Sequence, residues 1–128
     1  MNDSTLKMDA SLGYAEVIGY RNGYSLPFIP FDLEKGRASS FIEVPLAIMD
    51  VTLSRYQKLE DKEAITCIQD FIKENNKNSI ISILWHNSHF SNIKYRGYGT
   101  VYKHILNYAS ECKISSVQSD SLINSYLK

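Results

Sequence analysis

Two apolar runs stand out along the chain, "FIEVPLAIMD" (Phe41–Asp50) and "SIISILWH" (Ser79–His86). Both are bounded by polar residues, rich in β-branched side chains and nearly free of alternation, the pattern of strands buried on both faces. Pro45 cannot donate to a ladder, so it marks a sheet edge or a bulge within the first run. Between them, "DKEAITCIQDFIKENNKN" carries Ala64, Ile65, Ile68, Phe71 and Ile72 on one helical stripe. Asp61 is the predicted N-cap there, and the asparagine-rich end is the stop. A second helix is predicted over "TVYKHILNYASECK". Thr100 caps it, Val101, Ile105, Tyr108 and Cys112 share a face, and Lys113 suits its C-terminal dipole end. "YAEVI" and "ISSV" are further strand candidates, and "DSLINSYL" reads as a last short helix capped by Asp120.

Alternating strands and helices predict a single α/β domain over residues 1–128, with parallel strands and right-handed crossovers. About four strands are too few to close a barrel, which needs eight. Residues 19–40 hold three glycines and two of the three prolines, and read as a long ordered loop of the kind that carries function.

Composition narrows the partners. Lys plus Arg and Asp plus Glu both number 14, so the net charge is zero and no basic stripe points to nucleic acid. No apolar run approaches the ~18 residues of a membrane span. The start, "MNDSTLKMDA", has no basic stretch leading into an apolar one, so the predicted location is cytoplasmic. Cys67 and Cys112 lack C-x-x-C spacing and fall at apolar helical positions, reading as buried thiols with a disulfide as the alternative. Tyr14, Tyr20, Tyr24, Tyr95 and Tyr98 sit near glycines. Loop aromatics can stack on sugar rings, or pack the ring and leave the hydroxyl wet.

Three residues qualify for chemistry by position. Asp50 and His86 end predicted strands, and Arg21 lies in "GYRNGY", just after "YAEVI". If the strands are parallel, all three ends share one rim, where sites assemble in such folds. A histidine there can donate a proton to a leaving group, and an arginine can orient a carboxylate. The plainer readings are an N-cap for Asp50, a surface ion pair for Arg21 and a merely hydrogen-bonded strand-end histidine for His86. His104, mid-helix, reads as structural or solvated. "HNSH" spaces His86 and His89 three apart and invites a metal. No carboxylate or third histidine stands nearby in sequence, and that spacing suits a helix rather than a strand end, so the pair is assigned no metal. G-x-S-x-G, P-loop and G-x-G-x-x-G are all absent from the sequence.

Taken in order, "SLGYAEVIGYRNGYSLPFIPFDL", "IEVPLAIMDVTL" and "ILWHNSHF" resemble the C-terminal half of polysaccharide deacetylase-like domains, the NodB-homology group of carbohydrate esterases. The resemblance runs from about Met8 to the end of the second helix. It implies part of a distorted (β/α) barrel and metal-dependent removal of acetyl groups from a sugar or glycan. "RNGY" stands where the family has R-x-P-[FY], so Arg21 would orient the catalytic base and Tyr24 shape the acetate pocket. Gly23 replaces the motif's proline, giving a more flexible loop. "LWH" matches L-x-H, so Leu84 would line the acetyl pocket and His86 would be the general acid, with Trp85 and Asp50 beside the substrate. The family's divalent metal, zinc or similar, is held by an Asp and an H-x-x-x-H motif of the N-terminal half. This chain alone is therefore expected to hold no catalytic metal, to be inactive, and to self-associate or pair with that half through the strand at Tyr14–Ile18. A non-catalytic saccharide-binding domain and an assembly domain are the alternatives.

Overall fold

The structure, a computed structural model, describes residues 5–127. The long apolar run around Pro45 folds as two strands, β4 (Ile42–Glu43) and β5 (Leu46–Met49). They follow β1 (Met8–Asp9), β2 (Phe31–Asp32) and β3 (Arg37–Ala38). Pro45 interrupts the ladder, and the register slips between Leu46 and Ile48, the expected bulge. β5 passes through a π-helical turn (Thr52–Tyr56) into α1 (Asp61–Asn75), and the chain returns as β6 (Ser82–Leu84). A 3₁₀ turn (Asn87–Phe90), α2 (Tyr98–Glu111) and α3 (Ser119–Tyr126) complete the order.

β1 pairs with β4 and β5 with β6, both in parallel, while β2 and β3 form an antiparallel hairpin. The fold is mixed α/β with short parallel strands, and the described residues close no barrel. β5 is central, since Leu46 N–H donates to Leu12 O and Gly19 N–H to Ala47 O on its far side.

The core lies between β5 and the facing stripes of α1 and α2: Ala47, Ile48 and Leu53 meet Ala64, Ile68, Ile72, Val101 and Ile105. Ile65 and Phe71 of the expected α1 stripe pack at its margin, half-buried. Cys67 and Cys112 are free and half-buried, with no disulfide between them.

Several expectations need correction. Tyr14–Ile18 forms no strand: residues 15–19 are bends, the bonds to β5 come from Leu12 and Gly19 on either side of the segment, and Gly19 turns there with φ 137°. "ISSV" forms no strand among the described residues. β6 is only half-buried, with Leu84 41% exposed, because β5 is its one strand neighbour among the described residues. The loop over 19–40 contains the β2–β3 hairpin. Helix starts also shift. Glu60 rather than Asp61 caps α1, its N–H donating to the Glu63 carboxylate, and Gly97 in a left-handed conformation precedes α2 in place of Thr100. Gln118, not Asp120, sits at the N-cap of α3.

Candidate functional site

Parallel pairing of β5 and β6 aligns Met49 with Leu84, which places Asp50 and the residues after Leu84 at one C-terminal rim. Asp50 is fully buried. Its carboxylate accepts three hydrogen bonds and lies against a second imidazole. Oδ1 takes Val51 N–H at 2.7 Å and His86 Nδ1 at 2.7 Å. Oδ2 takes His86 N–H at 2.5 Å, and His89 Nδ1 lies 3.0 Å from it, with Ser88 Oγ 3.4 Å from the same nitrogen. A carboxylate offers about four lone-pair sites, so three bonds and the His89 ring nearly fill this one.

The second histidine reaches Asp50 through the 3₁₀ turn. His89 N–H donates to His86 O at 3.0 Å, and in 3₁₀ geometry residues three apart eclipse. The "HNSH" spacing thus puts both imidazoles on one face just after a strand. The carboxylate missing from the local sequence comes from the neighbouring strand, 36 residues before His86.

The two rings differ in surroundings. His86 leaves 44% of its side chain exposed, whereas His89 is buried, stacked on Tyr95 at 3.8 Å and 11°. Burial pushes the His89 imidazole below its ordinary pKa, the charges of His86 and Lys94 push the same way, and Asp50 opposes them. Because a carboxylate only accepts, His86 Nδ1 carries the proton and its Nε2 is left for another partner; the approach of His89 Nδ1 to the same carboxylate favours the same tautomer there. The Nε2 of His89 lies 2.8 Å from Ser54 Oγ.

Asp50, His86 and His89 each present a ligand-type atom, and these atoms lie within 4.8 Å of one another, so the donor set for a divalent ion exists. The spacing is that of hydrogen bonds. Tetrahedral zinc ligands at ~2.0–2.1 Å from the ion sit ~3.3 Å apart. Here the Nδ1–carboxylate separations are 2.7 and 3.0 Å. An ion held by this triad would take the place of the ring protons on Nδ1 and spread the donors by a few tenths of an ångström, as metal binding to imidazole and carboxylate ligands requires.

Set against protein-family models, curated proteins and solved structures, the chain matches none.

Of the other predicted site residues, Leu84 lies at the rim and is exposed. Trp85 turns inward against Tyr98 and Tyr102 at 6.1 and 5.5 Å, with its Nε1 buried and unpartnered among the described residues. Arg21 is not brought to the rim. Its Nη1 reaches Gly13 O at 3.5 Å, and Gly13 packs on Leu46, the first residue of β5. The neighbouring Tyr20 hydroxyl donates to Ile80 O, ahead of β6. Its loop is therefore tied to the N-terminal ends of both strands, because the expected strand that would have carried Arg21 across the sheet does not form. Tyr24 lies in that same loop, edge-on to Phe28 at 6.3 Å.

His89 and Ser54 join the cluster beyond the residues that sequence position marks. Asp50 and Ser54 are four apart, a spacing that faces one side of a helical turn, and this was the available signal.

Proposed function

We propose that His86, held by Asp50, is the general acid of a hydrolytic site that removes acetyl groups from a sugar or glycan. The observation that carries the reading is the 2.7 Å bond from His86 Nδ1 to a buried carboxylate, with the ring half-exposed at the strands' C-terminal rim. That bond fixes the tautomer and aims Nε2 outward. When protonated, Nε2–H can donate to the departing amine or alcohol, a step worth about 10²–10⁴-fold in general acid catalysis. Leu84 offers an exposed apolar surface beside it, suited to an acetyl methyl. The parallel pairs β1–β4 and β5–β6 are read as part of a distorted (β/α) barrel, in line with the deacetylase resemblance. In that family a divalent ion polarises the acetyl carbonyl and its bound water. In this reading Asp50 serves to hold His86, and Arg21 takes no part in the step.

Acetate release from N-acetylated and O-acetylated glycans, by the natural polypeptide carrying this sequence and supplied with zinc, tests the reading. His86→Gln should lower kcat by about 10²–10⁴-fold with KM little changed. Equal turnover by that variant, or no acetate release by the folded wild type, would sink it.

A further inference from the structure

The rim holds a second arrangement that does not use His86. Ser54 Oγ, His89 Nε2, His89 Nδ1 and Asp50 Oδ2 form a continuous chain with steps of 2.8 and 3.0 Å across the ring. With the Asp50 carboxylate 3.0 Å from Nδ1, the tautomer protonated there places the lone pair on Nε2, and in it the Ser54 hydroxyl donates into the ring. Tyr95 stacked at 3.8 Å holds the imidazole in that plane. The ring is buried, which keeps the base dry, but the serine is not sealed in. Ser54 lines an open cleft of about 600 Å³ together with Lys94, Tyr95, Arg96 and Tyr98. The serine lies on a π-helical turn, a distortion frequent at functional sites. A buried serine and histidine satisfying each other for packing alone would need no such opening.

We propose that Ser54, His89 and Asp50 form a nucleophilic acyl-transfer centre for a small acyl ester entering this cleft. Ser54 Oγ bonds to the acyl carbon while its proton passes to His89 Nε2. The bond from acyl carbon to the leaving oxygen breaks, and the departing alcohol takes that proton. Water then attacks the acyl-serine by the same route, releasing the acid and restoring the hydroxyl. Asp50 orients the imidazole and stabilises the charge it gains. This goes beyond the acetyl-glycan reading, which relies on His86, and the two can fail separately.

The test is phosphonylation by an alkyl fluorophosphonate, with the adduct located by peptide mass spectrometry and folding followed by circular dichroism. The expected result is one adduct on Ser54, formed about 100-fold or more faster than on a free serine amide. It should be absent in Ser54→Ala and slowed by a similar factor in His89→Gln. It should persist in His86→Gln, even where that variant has lost acetate release. No Ser54 adduct on folded wild type, or one forming no faster than on the free amide, would overturn the proposal whether or not His89→Gln folds.

Discussion

The C-terminal rim and the glycine-flanked loop Gly19–Tyr24 carry equally suggestive residues, and the fold treats them oppositely. At the rim, a buried carboxylate accepts three hydrogen bonds and draws two imidazoles to within 3.0 Å. In the loop, Arg21 reaches one backbone carbonyl at the long distance of 3.5 Å, and Tyr24 is half-exposed. The difference comes from what lies beneath each. The rim stands on a parallel strand pair packed over the main core, whereas the loop follows bends joined to that pair only at points. Position at the end of an apolar run makes a residue a candidate; a pairing strand is what makes it converge with others.

The largest test of this contrast is Asp50→Ala. It strands three hydrogen-bond donors, one of them on an imidazole ring, and removes the carboxylate beside His89. Breaking a buried charged network typically costs about 3–5 kcal/mol, because the partners are left unpaired. Arg21→Ala should change stability by less than about 1 kcal/mol, as expected of an exposed, long contact. Urea denaturation of both variants gives the comparison directly. Equal midpoints would mean that the rim is no more organised than the loop.

The same contrast holds inside the rim, between its two histidines. His89→Ala removes a buried ring, its stacking on Tyr95 and its bonds to Asp50 and Ser54, and should cost about 2–4 kcal/mol. His86→Ala removes a half-exposed ring and should cost about 1 kcal/mol, although it is the residue proposed to act on substrate. Thermal or urea unfolding resolves that gap. A reversed order would mean that His86, not His89, is the structural member.

Much of this was legible in the sequence, for identifiable reasons. The α1 stripe, the Pro45 bulge and the strand-end positions of Asp50 and His86 follow from local periodicity and from the missing proline N–H. What escaped was non-local. His89 lacks a carboxylate only while the chain is read in one dimension; the parallel register of β5 and β6 supplies Asp50. Ser54 escaped because a π-helical turn has no clear periodic signature. The rim place expected for Arg21 rests on "YAEVI", which has the apolar content of a strand but lies between Gly13 and Gly19, with its neighbours Leu12 and Gly19 making the bonds to β5.

A smaller effect separates the rim's floor from its surface by pH. The Tyr98 hydroxyl lies beneath the cluster, donating to Leu59 O at 2.8 Å. Burial, helped by the charges of Asp50, Asp61 and Glu63, pushes it up to about 12 from 10.0. The unfolded state therefore loses this proton near pH 10 and the folded state near pH 12. Between those values the native protein binds more protons, so its stability falls as pH rises. The loss is about 1–2 kcal/mol, reduced from the full two-unit value by solvent screening of exposed Glu63. Unfolding midpoints measured across pH 9–12 for wild type and Tyr98→Phe check the sign, since the variant should lack this part of the slope. A wild-type curve that parallels the variant's would place Tyr98 in contact with water.

The smallest expected effect belongs to the loop, at Gly23. In the deacetylase-like motif that "RNGY" resembles, this place is a proline. Proline requires φ near −65° and has no N–H. Gly23 has φ 68°, and its N–H donates to Tyr20 O at 2.9 Å, closing a tight turn. The replacement therefore does more than loosen the loop, because it builds a turn that proline cannot enter. Gly23→Ala has open space for its Cβ but must adopt the left-handed conformation, a cost of about 1 kcal/mol or less. Gly23→Pro should cost at least as much, since it also removes the bond to Tyr20. Neither should move the imidazole resonances of His86, because the loop is anchored at the opposite strand ends. If Gly23→Pro instead left stability unchanged and shifted the His86 signals, the loop would have refolded toward the rim, and Arg21 would regain the base-orienting place that the motif implies.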